Sequence, residues 1–500
     1  MKHIPIHQVE QIVEYPTGHA LILSGFDELR NSRSTGAYRT AHYLREKGWN
    51  IEVLDYMLWM SVDQVKQFID SRYQEGITKW IGVSYTWISE SKNAISLIKG
   101  IKEWYPNLKL IIGGQFPYNH NLSADWYIFG YGEYALDAVL KYEFSTGPMP
   151  NSTEFFNGRY IDAYHAYPAT PLEDYSVKFV DNDYVTPDNH MTIELSRGCK
   201  FACKFCSFPF IGMKEDSSAS EESLYRELNE NYEKWGTTVY TIADDTFNDR
   251  TEKLIKLRNV VRRLDFKPDF KAFIRLDLLK SHPEHYELLA ESRAWVHYYG
   301  VETFNKKAGT SIGKGMNPDI MKGLLLQMKD YMNTHVGLYR GTAGFIAGLP
   351  HEPISDMLET EKWLQQNWVD QHWMWWPLSI YRQKGIIAAF GEDMSKFGYS
   401  EILEVDRDIN REKNVTRPIN EVFWKNEHTD IYECTDLVSE FQKKTEFLDC
   451  FSTVRYLGLY KQDYEKVLSI TRQCHPQIDT IDYRKRSLRL IKDYVEKKIK

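Results

Sequence analysis

The run MTIELSRGCKFACKFC, residues 191–206, passes from a short apolar strand into a loop that carries three of the chain's six cysteines. Packing gives no reason to crowd half the thiols of a 500-residue chain into eight positions. Three residues separate Cys199 from Cys203 and two separate Cys203 from Cys206, while Gly198 loosens the turn out of the strand. A loop of this kind can aim three thiolates at one centre. Structural zinc takes four protein ligands, and His190, the nearby candidate, stands at the far end of the strand. A [4Fe–4S] cluster is bound by thiolates, usually one per iron. Three cysteines would then leave one iron open to a ligand that is not protein.

Beyond the loop, apolar runs alternate with helical patterns. After MTIELS come TTVYTIAD (237–244), FKAFIRL (270–276), WVHYYGVE (295–302), GTAGFIAGL (341–349) and WMWWPLSIY (373–381). Helices such as SASEESLYRELNENYEKWG (218–236) separate most of them. Such βα units over 190–390 predict a partial (β/α)6 barrel, with its chemistry at the carboxyl ends of the strands. Upstream, HALILSGF (19–26), NIEVLDY (50–56), WIGVSYTW (80–87) and LKLIIGGQ (108–115) read as strands between helices. Residues 1–148 are thus expected to form a Rossmann-like parallel sheet covered on both faces. Its ligand edge is the carboxyl ends of the strands, which carry Gly113 and Gly114 and, further on, FGYGE (129–133). No GxGxxG follows the first strand, which argues against an ordinary dinucleotide site.

Residues 149–189, rich in Pro, Asn, Asp and Tyr, read as a linker. Residues 391–500 read as a mainly helical region ending in RKRSLRLIKDYVEKKIK, with Leu488, Ile491, Val495 and Ile499 at helical spacing. The fold class is α/β throughout its first two domains. The net charge of −8 offers no overall basic field for nucleic acid or anionic lipid. MKHIPIHQVEQIVEYP lacks the apolar core of a signal peptide. No stretch approaches the roughly 18 apolar residues of a membrane span. Clustered rather than scattered cysteines fit a reducing compartment, so the expectation is a cytoplasmic protein without membrane contact.

CxxxCxxC after the first strand of a βα barrel, with an aromatic residue before the last Cys, resembles the radical S-adenosylmethionine (AdoMet) enzymes. The resemblance covers residues 190 to 385. It implies a [4Fe–4S] cluster on Cys199, Cys203 and Cys206, with AdoMet chelating the open iron through its amino and carboxylate groups. It also implies reductive cleavage of AdoMet to a 5′-deoxyadenosyl radical that abstracts a substrate hydrogen. Phe205 then takes the place beside the adenine. Asp244 and Asp245, in ADDTF (243–247), stand where the family binds the AdoMet amino nitrogen, although its usual Gly-Gly-Glu is absent. Arg275 would hold the AdoMet carboxylate, Glu302 the ribose hydroxyls, and Ile346 and Gly348 would lie against adenine. Asp244, Asp245 and Glu302 each have a bland reading as a helix cap or a solvated charge, and Arg275 one as a structural residue.

The N-terminal domain resembles that of the cobalamin-binding subclass, in which Gly113 and Gly114 would allow backbone to approach the corrin or its nucleotide tail. The loop after the first strand, SGFDELRNSRSTG, lacks the Asp-x-His-x-x-Gly that supplies a lower axial His in many cobalamin proteins. Cobalamin is therefore an optional cofactor here. Cys434, Cys450 and Cys474 match no compact motif; they read as ordinary thiols, with an auxiliary cluster as the rival. QHWMWWPL (371–378) reads as strand packing, with a wall for a planar substrate as the rival.

The expected function is modification of a small molecule or nucleotide, by methylation, rearrangement or other bond formation. The expected electron donor is flavodoxin or ferredoxin. Modification of a nucleic-acid base or a peptide without cobalamin is the alternative. An iron–sulfur redox sensor without catalysis is the alternative of another class.

Overall fold

A computed structural model of the chain describes residues 17–25, 33–57, 60–85, 92–114, 122–155, 157–173, 176–187, 189–206, 217–337, 339–368, 371–380, 390, 393–403, 422–445 and 480–500. Each apolar run read as a strand between 19 and 115 forms one. The first half runs β1 (His19–Ser24), α1 (Thr35–Arg45), β2 (Asn50–Leu54), α2 (Val62–Arg72), β3 (Thr78–Ser84), α3 (Lys92–Trp104) and β4 (Lys109–Gly114). It continues through β5 (Trp126–Phe129), α4 (Gly132–Phe144), β6 (Thr153–Phe155) and β7 (Gly158–Asp162). The sheet order is β2-β1-β3-β4-β5-β7-β6, parallel except for the β6–β7 pair. Both of its faces bury an apolar core, which explains strands such as ALIL and KLII that are apolar on every residue or nearly so. Local signals set the helix starts. Ser61 and Gln64 make a reciprocal capping box at the start of α2.

The stretch 149–189 is more than a linker, because β6 and β7 extend the N-terminal sheet beyond β5. Their sequences, TEF and GRYID, carry too few apolar residues for alternation to reveal them. What fixes the site is backbone proximity: a Cβ on Gly158 would meet the Ala124 carbonyl oxygen at 2.1 Å.

The second half starts with β8 (Met191–Ile193), β9 (Ser196–Arg197), β10 (Ser217–Ser218), α5 (Glu221–Trp235), β11 (Val239–Ile242), α6 (Thr251–Arg263) and β12 (Asp269–Ile274). It goes on through α7 (Leu276–Ser281), α8 (Glu284–Glu291), β13 (Val296–Glu302), α9 (Lys306–Ser311), α10 (Pro318–His335), β14 (Arg340–Ala347), α11 (Ile354–Asn367) and β15 (His372–Pro377). Six strands lie in the order β15-β14-β13-β12-β11-β8, all parallel. This is the expected partial barrel. Alternate residues Trp373 and Trp375 point outward, where both indoles donate to Glu361 Oε2 at 2.9 and 3.1 Å. The positions between them, Met374 and Trp376, face inward, and the Tyr298 hydroxyl lies 2.7 Å from Met374 Sδ.

The described part of 391–500 holds a two-stranded ribbon, Ser400–Glu401 with Trp424–Lys425, and two helices, α12 (Ile431–Thr445) and α13 (Thr480–Ile499). Phe441 of α12 packs on Trp375, ring centroids 5.1 Å apart. The last helix returns to the first domain, where Leu490, Ile491 and Tyr494 join the core of the N-terminal sheet.

Candidate active site at the strand ends

The cysteine loop leaves β9 through Gly198, whose φ of +91° is the left-handed turn that glycine tolerates. The Cys206 amide donates to the Cys203 carbonyl at 3.1 Å, and the Lys204 amide to that of Ile312 at 3.0 Å, so the loop is pinned to the segment after α9. Cys203 is buried, and Cys199 and Cys206 are half-buried. Burial pushes the Cys199 thiol up, so a thiolate there calls for a positive centre. Among the described residues, the set whose ligand atoms all lie within 4.8 Å of one another is His282, Glu284 and His285. The three thiols are therefore spread wider than one zinc ion, with Zn–S bonds of about 2.3 Å, would draw them. A cluster that offers each thiolate its own iron fits that donor set.

The strand ends above the loop sort the sequence candidates into different roles. Asp244 is fully engaged: its carboxylate accepts from the Leu195 and Ser196 amides at 2.9 and 3.0 Å, from Ser196 Oγ at 2.7 Å and from Lys253 Nζ at 2.9 Å. It ties β11 to the strand before the cysteines, and no lone pair is left over for an AdoMet amine. Asp245 is half-buried instead. Burial first, then the Asp244 and Glu194 carboxylates, push its pKa up to about 8.

Arg275 departs from expectation as well. Its Nε and Nη2 bind the two oxygens of Asp277 at 2.9 and 2.7 Å, and Nη1 points at Cys203 Sγ, 3.4 Å away. The guanidinium that was expected to face the AdoMet carboxylate thus faces the cysteine loop. Glu302, at φ +67°, receives Lys314 Nζ at 2.8 Å on one oxygen. Lys314, which the sequence reading missed, also donates to the Gly300 carbonyl at 2.8 Å and lies 5.7 Å from the centroid of the Phe205 ring. It sits in a loop without a motif, so no local signal marks it. Ile346 packs against the barrel core from β14. Gly348 turns away from the strand ends: a Cβ there would strike Trp424 at 2.2 Å, and its carbonyl accepts from Tyr399 at 2.7 Å. Its glycine seats the C-terminal segment.

Between the domains, the carboxyl edge of the first sheet opens into a cleft of about 270 Å³. Gly113 and Gly114 line it with Ile22, Trp80, Ile111 and Leu136, and Glu194 and Arg197 close it from the barrel side. Thr35 Oγ1 and Trp80 Nε1 belong to lining residues and are buried without a hydrogen-bond partner among the described residues. Three buried charges and the half-buried Glu194 cross the junction. Arg39 Nε lies 2.8 Å from Glu194, and Arg197 reaches Glu194 at 2.8 Å and Glu133 at 2.7 Å.

Cys434 is buried beside Thr429 and Gly348, and burial first pushes its thiol up to about 12. It is a packing thiol; Cys450 and Cys474 lie outside the described residues. No described helix is long and apolar enough to cross a membrane.

A family model described as the Radical SAM superfamily matches residues 193–364. An uncharacterized methyltransferase of Pyrococcus horikoshii is 24% identical over 175 residues, 35% of this chain and 36% of that protein. The chain thus matches about a third of that relative's length. Two solved structures share the architecture. One is the radical AdoMet methyltransferase TsrM of Kitasatospora setae, with cobalamin and a [4Fe–4S] cluster bound. Its TM-score is 0.63 at 11% identity, over 91% of this chain and 99% of that one. The other is the cobalamin-dependent AdoMet radical enzyme OxsB, with aqua-cobalamin and AdoMet bound. Its TM-score is 0.53 at 14% identity, over 96% of this chain and 79% of that one. At these identities the likeness is one of fold.

Proposed function

We propose that this chain, whose residues 193–364 are a radical SAM domain, is an enzyme that modifies a small, ring-bearing molecule by AdoMet-dependent chemistry with cobalamin as second cofactor. One observation carries the reading: the loop of Cys199, Cys203 and Cys206 follows β8, the first strand of the parallel partial barrel, and the short β9, at the end where the next strands present Asp245, Arg275 and Glu302. A [4Fe–4S] cluster bound there would supply the electron for AdoMet cleavage, and cobalamin would supply a methyl carrier.

The chain's own residues would bind and orient. Asp245, which burial and the Asp244 and Glu194 carboxylates keep protonated, would lose its proton as the sulfonium-bearing AdoMet binds and would then accept from the N–H of its amino group. Glu302 has one oxygen fixed by Lys314 and the other available to ribose hydroxyls. Phe205 offers its ring to the adenine. Inside the barrel, Phe273, Tyr298 and Trp376 form an aromatic wall, with ring centroids 5.1 and 6.5 Å apart in succession, suited to a planar substrate.

Support for cobalamin comes from the interdomain cleft. Its volume suits a planar base better than a whole corrin, so it would take the nucleotide tail between Ile22, Trp80 and Leu136. Thr35 and Trp80 offer that tail two unused polar atoms. TsrM and OxsB, which share the fold, are described with cobalamin bound. The electron would come from flavodoxin or ferredoxin.

The test is anaerobic reconstitution with iron and sulfide, with and without hydroxocobalamin, followed by reduction in the presence of AdoMet. The expected results are iron and sulfide bound in the wild type and lost in the Cys199, Cys203, Cys206 triple Ala variant, with cobalamin retained through gel filtration. Full iron in the triple variant overturns the cluster assignment, and unretained cobalamin overturns the second cofactor.

A further inference from the structure

Arg275 is held on every side. The Asn248 side chain brackets its backbone, accepting from the Arg275 amide at 2.9 Å and donating to the Arg275 carbonyl at 3.0 Å. Asp277 takes the Nε–Nη2 edge of the guanidinium through paired hydrogen bonds of 2.9 and 2.7 Å. The Phe201 ring, itself part of the cysteine loop, lies against the plane, with its centroid 3.8 Å from Cζ. That leaves Nη1 directed at Cys203 Sγ, 3.4 Å away. A planar fork locked in this way cannot swing freely toward a ligand. Cys203 is also the buried member of the three thiols, where a hydrogen bond meets the least competition from water.

We propose that Arg275 is a positioning residue that sets how readily the bound cluster is reduced, acting through a hydrogen bond to Cys203. The inference rests on the cluster assignment above. An N–H donated to a ligating sulfur withdraws electron density, and reduction adds negative charge, so the donor stabilises the reduced form more than the oxidised one. Hydrogen bonds to the sulfurs and nearby charge are among the levers that set iron–sulfur potentials. Asp277 works in the opposite sense, because its carboxylate cancels part of the guanidinium charge while it aims the fork. The pair therefore supplies a directed donor with a muted field.

The test is a redox titration of the reconstituted holoprotein followed by electron paramagnetic resonance, on wild type, Arg275→Lys, Arg275→Met and Asp277→Asn. Iron and sulfide content and AdoMet affinity by equilibrium dialysis are measured alongside. Arg275→Met should lower the reduced-to-oxidised ratio at fixed solution potential about tenfold, which is 59 mV for a one-electron couple. Arg275→Lys should shift it the same way by less. Asp277→Asn should shift it upward, a reversal that general damage to the loop would not produce. If Arg275→Met fails to hold iron, Arg275→Lys and Asp277→Asn decide the matter. Unshifted ratios in loaded variants overturn the inference, and unshifted ratios with weakened AdoMet binding reassign Arg275 to the AdoMet carboxylate. Wild type that takes up no iron or sulfide sinks the cluster assignment instead.

Discussion

Glu302 sits at φ +67°, in the left-handed region that non-glycine residues enter at some cost. Its neighbours hold it there. The Thr303 hydroxyl accepts from the Asn305 amide at 2.7 Å and donates to Glu352, a carboxyl with no exposure to solvent. Burial is the main cause that pushes the Glu352 pKa up to about 8, and Asp356 adds to it against the Thr303 hydrogen bond. In the folded apoprotein Glu352 therefore keeps its proton up to about pH 8, whereas the unfolded chain loses it near 4.5. Between those values the folded state binds more protons, so this residue's contribution to stability falls as pH rises. Glu352→Gln mimics the neutral acid. Measured by urea denaturation, the variant should match wild type near pH 5. It should gain on wild type toward pH 8, with a slope approaching about 1.4 kcal/mol per pH unit. A constant difference between the two proteins across that range would show that Glu352 is not held neutral.

The strand pair β8 and β9 meets α1 and α4 through charges rather than apolar packing. Glu194, between the two strands, is half-buried, and desolvation alone would raise its pKa; Arg197 and Arg39 overcome that and hold it below the usual carboxylate range. Arg197 also pairs with Glu133 of α4 and lies 4.3 Å from the Tyr131 ring centroid, two residues before the first cysteine. Removing one member of a buried network strands the others at a cost of about 3–5 kcal/mol. Arg197→Met should cost the apoprotein that much by chemical denaturation, and adding Glu133→Gln should recover part of it. Simple additivity of the two substitutions would mean that the charges are not coupled. None of this network is legible in the sequence. A cysteine triplet is local, whereas Arg39, Glu133 and Glu194 come together only through the fold. The same holds for Arg275, whose partners are one residue two places away and another 72 places back. Asp244 and Asp245 stand side by side, yet which of them is consumed by Ser196 and Lys253 depends on the direction each takes at the strand end.

At the scale of the molecule, strand alternation and the cysteine spacing make both sheets readable, because those signals are repeated locally. The joint between them is not readable in that way. Helical spacing of Ile491 and Val495 predicts α13 but says nothing of its partner, which lies more than 400 residues earlier: the Asp55 amide donates to the Tyr494 hydroxyl at 3.1 Å across 439 positions. Lys498, in the basic run 484–500, is buried and donates to Glu52 at 3.0 Å and to the Asn182 carbonyl at 2.6 Å. Beside Tyr494, Arg33 is locked to Asp55 at 2.6 Å, to Asn189 at 3.3 Å and, through its amide, to the His190 carbonyl at 2.9 Å. The last helix thus buttresses the segment that leads from the first sheet into β8. Burial of Leu490, Ile491 and Tyr494 contributes about 1.5–3 kcal/mol each, as an upper estimate. Deleting 480–500 should therefore expose β2 and the segment 181–190 while leaving the centre of the barrel intact. Hydrogen exchange read by mass spectrometry should show protection lost in those two segments and kept in β13 and β14. Equal loss across both sheets would mean that the domains unfold as one unit and that α13 supports the whole rather than the joint.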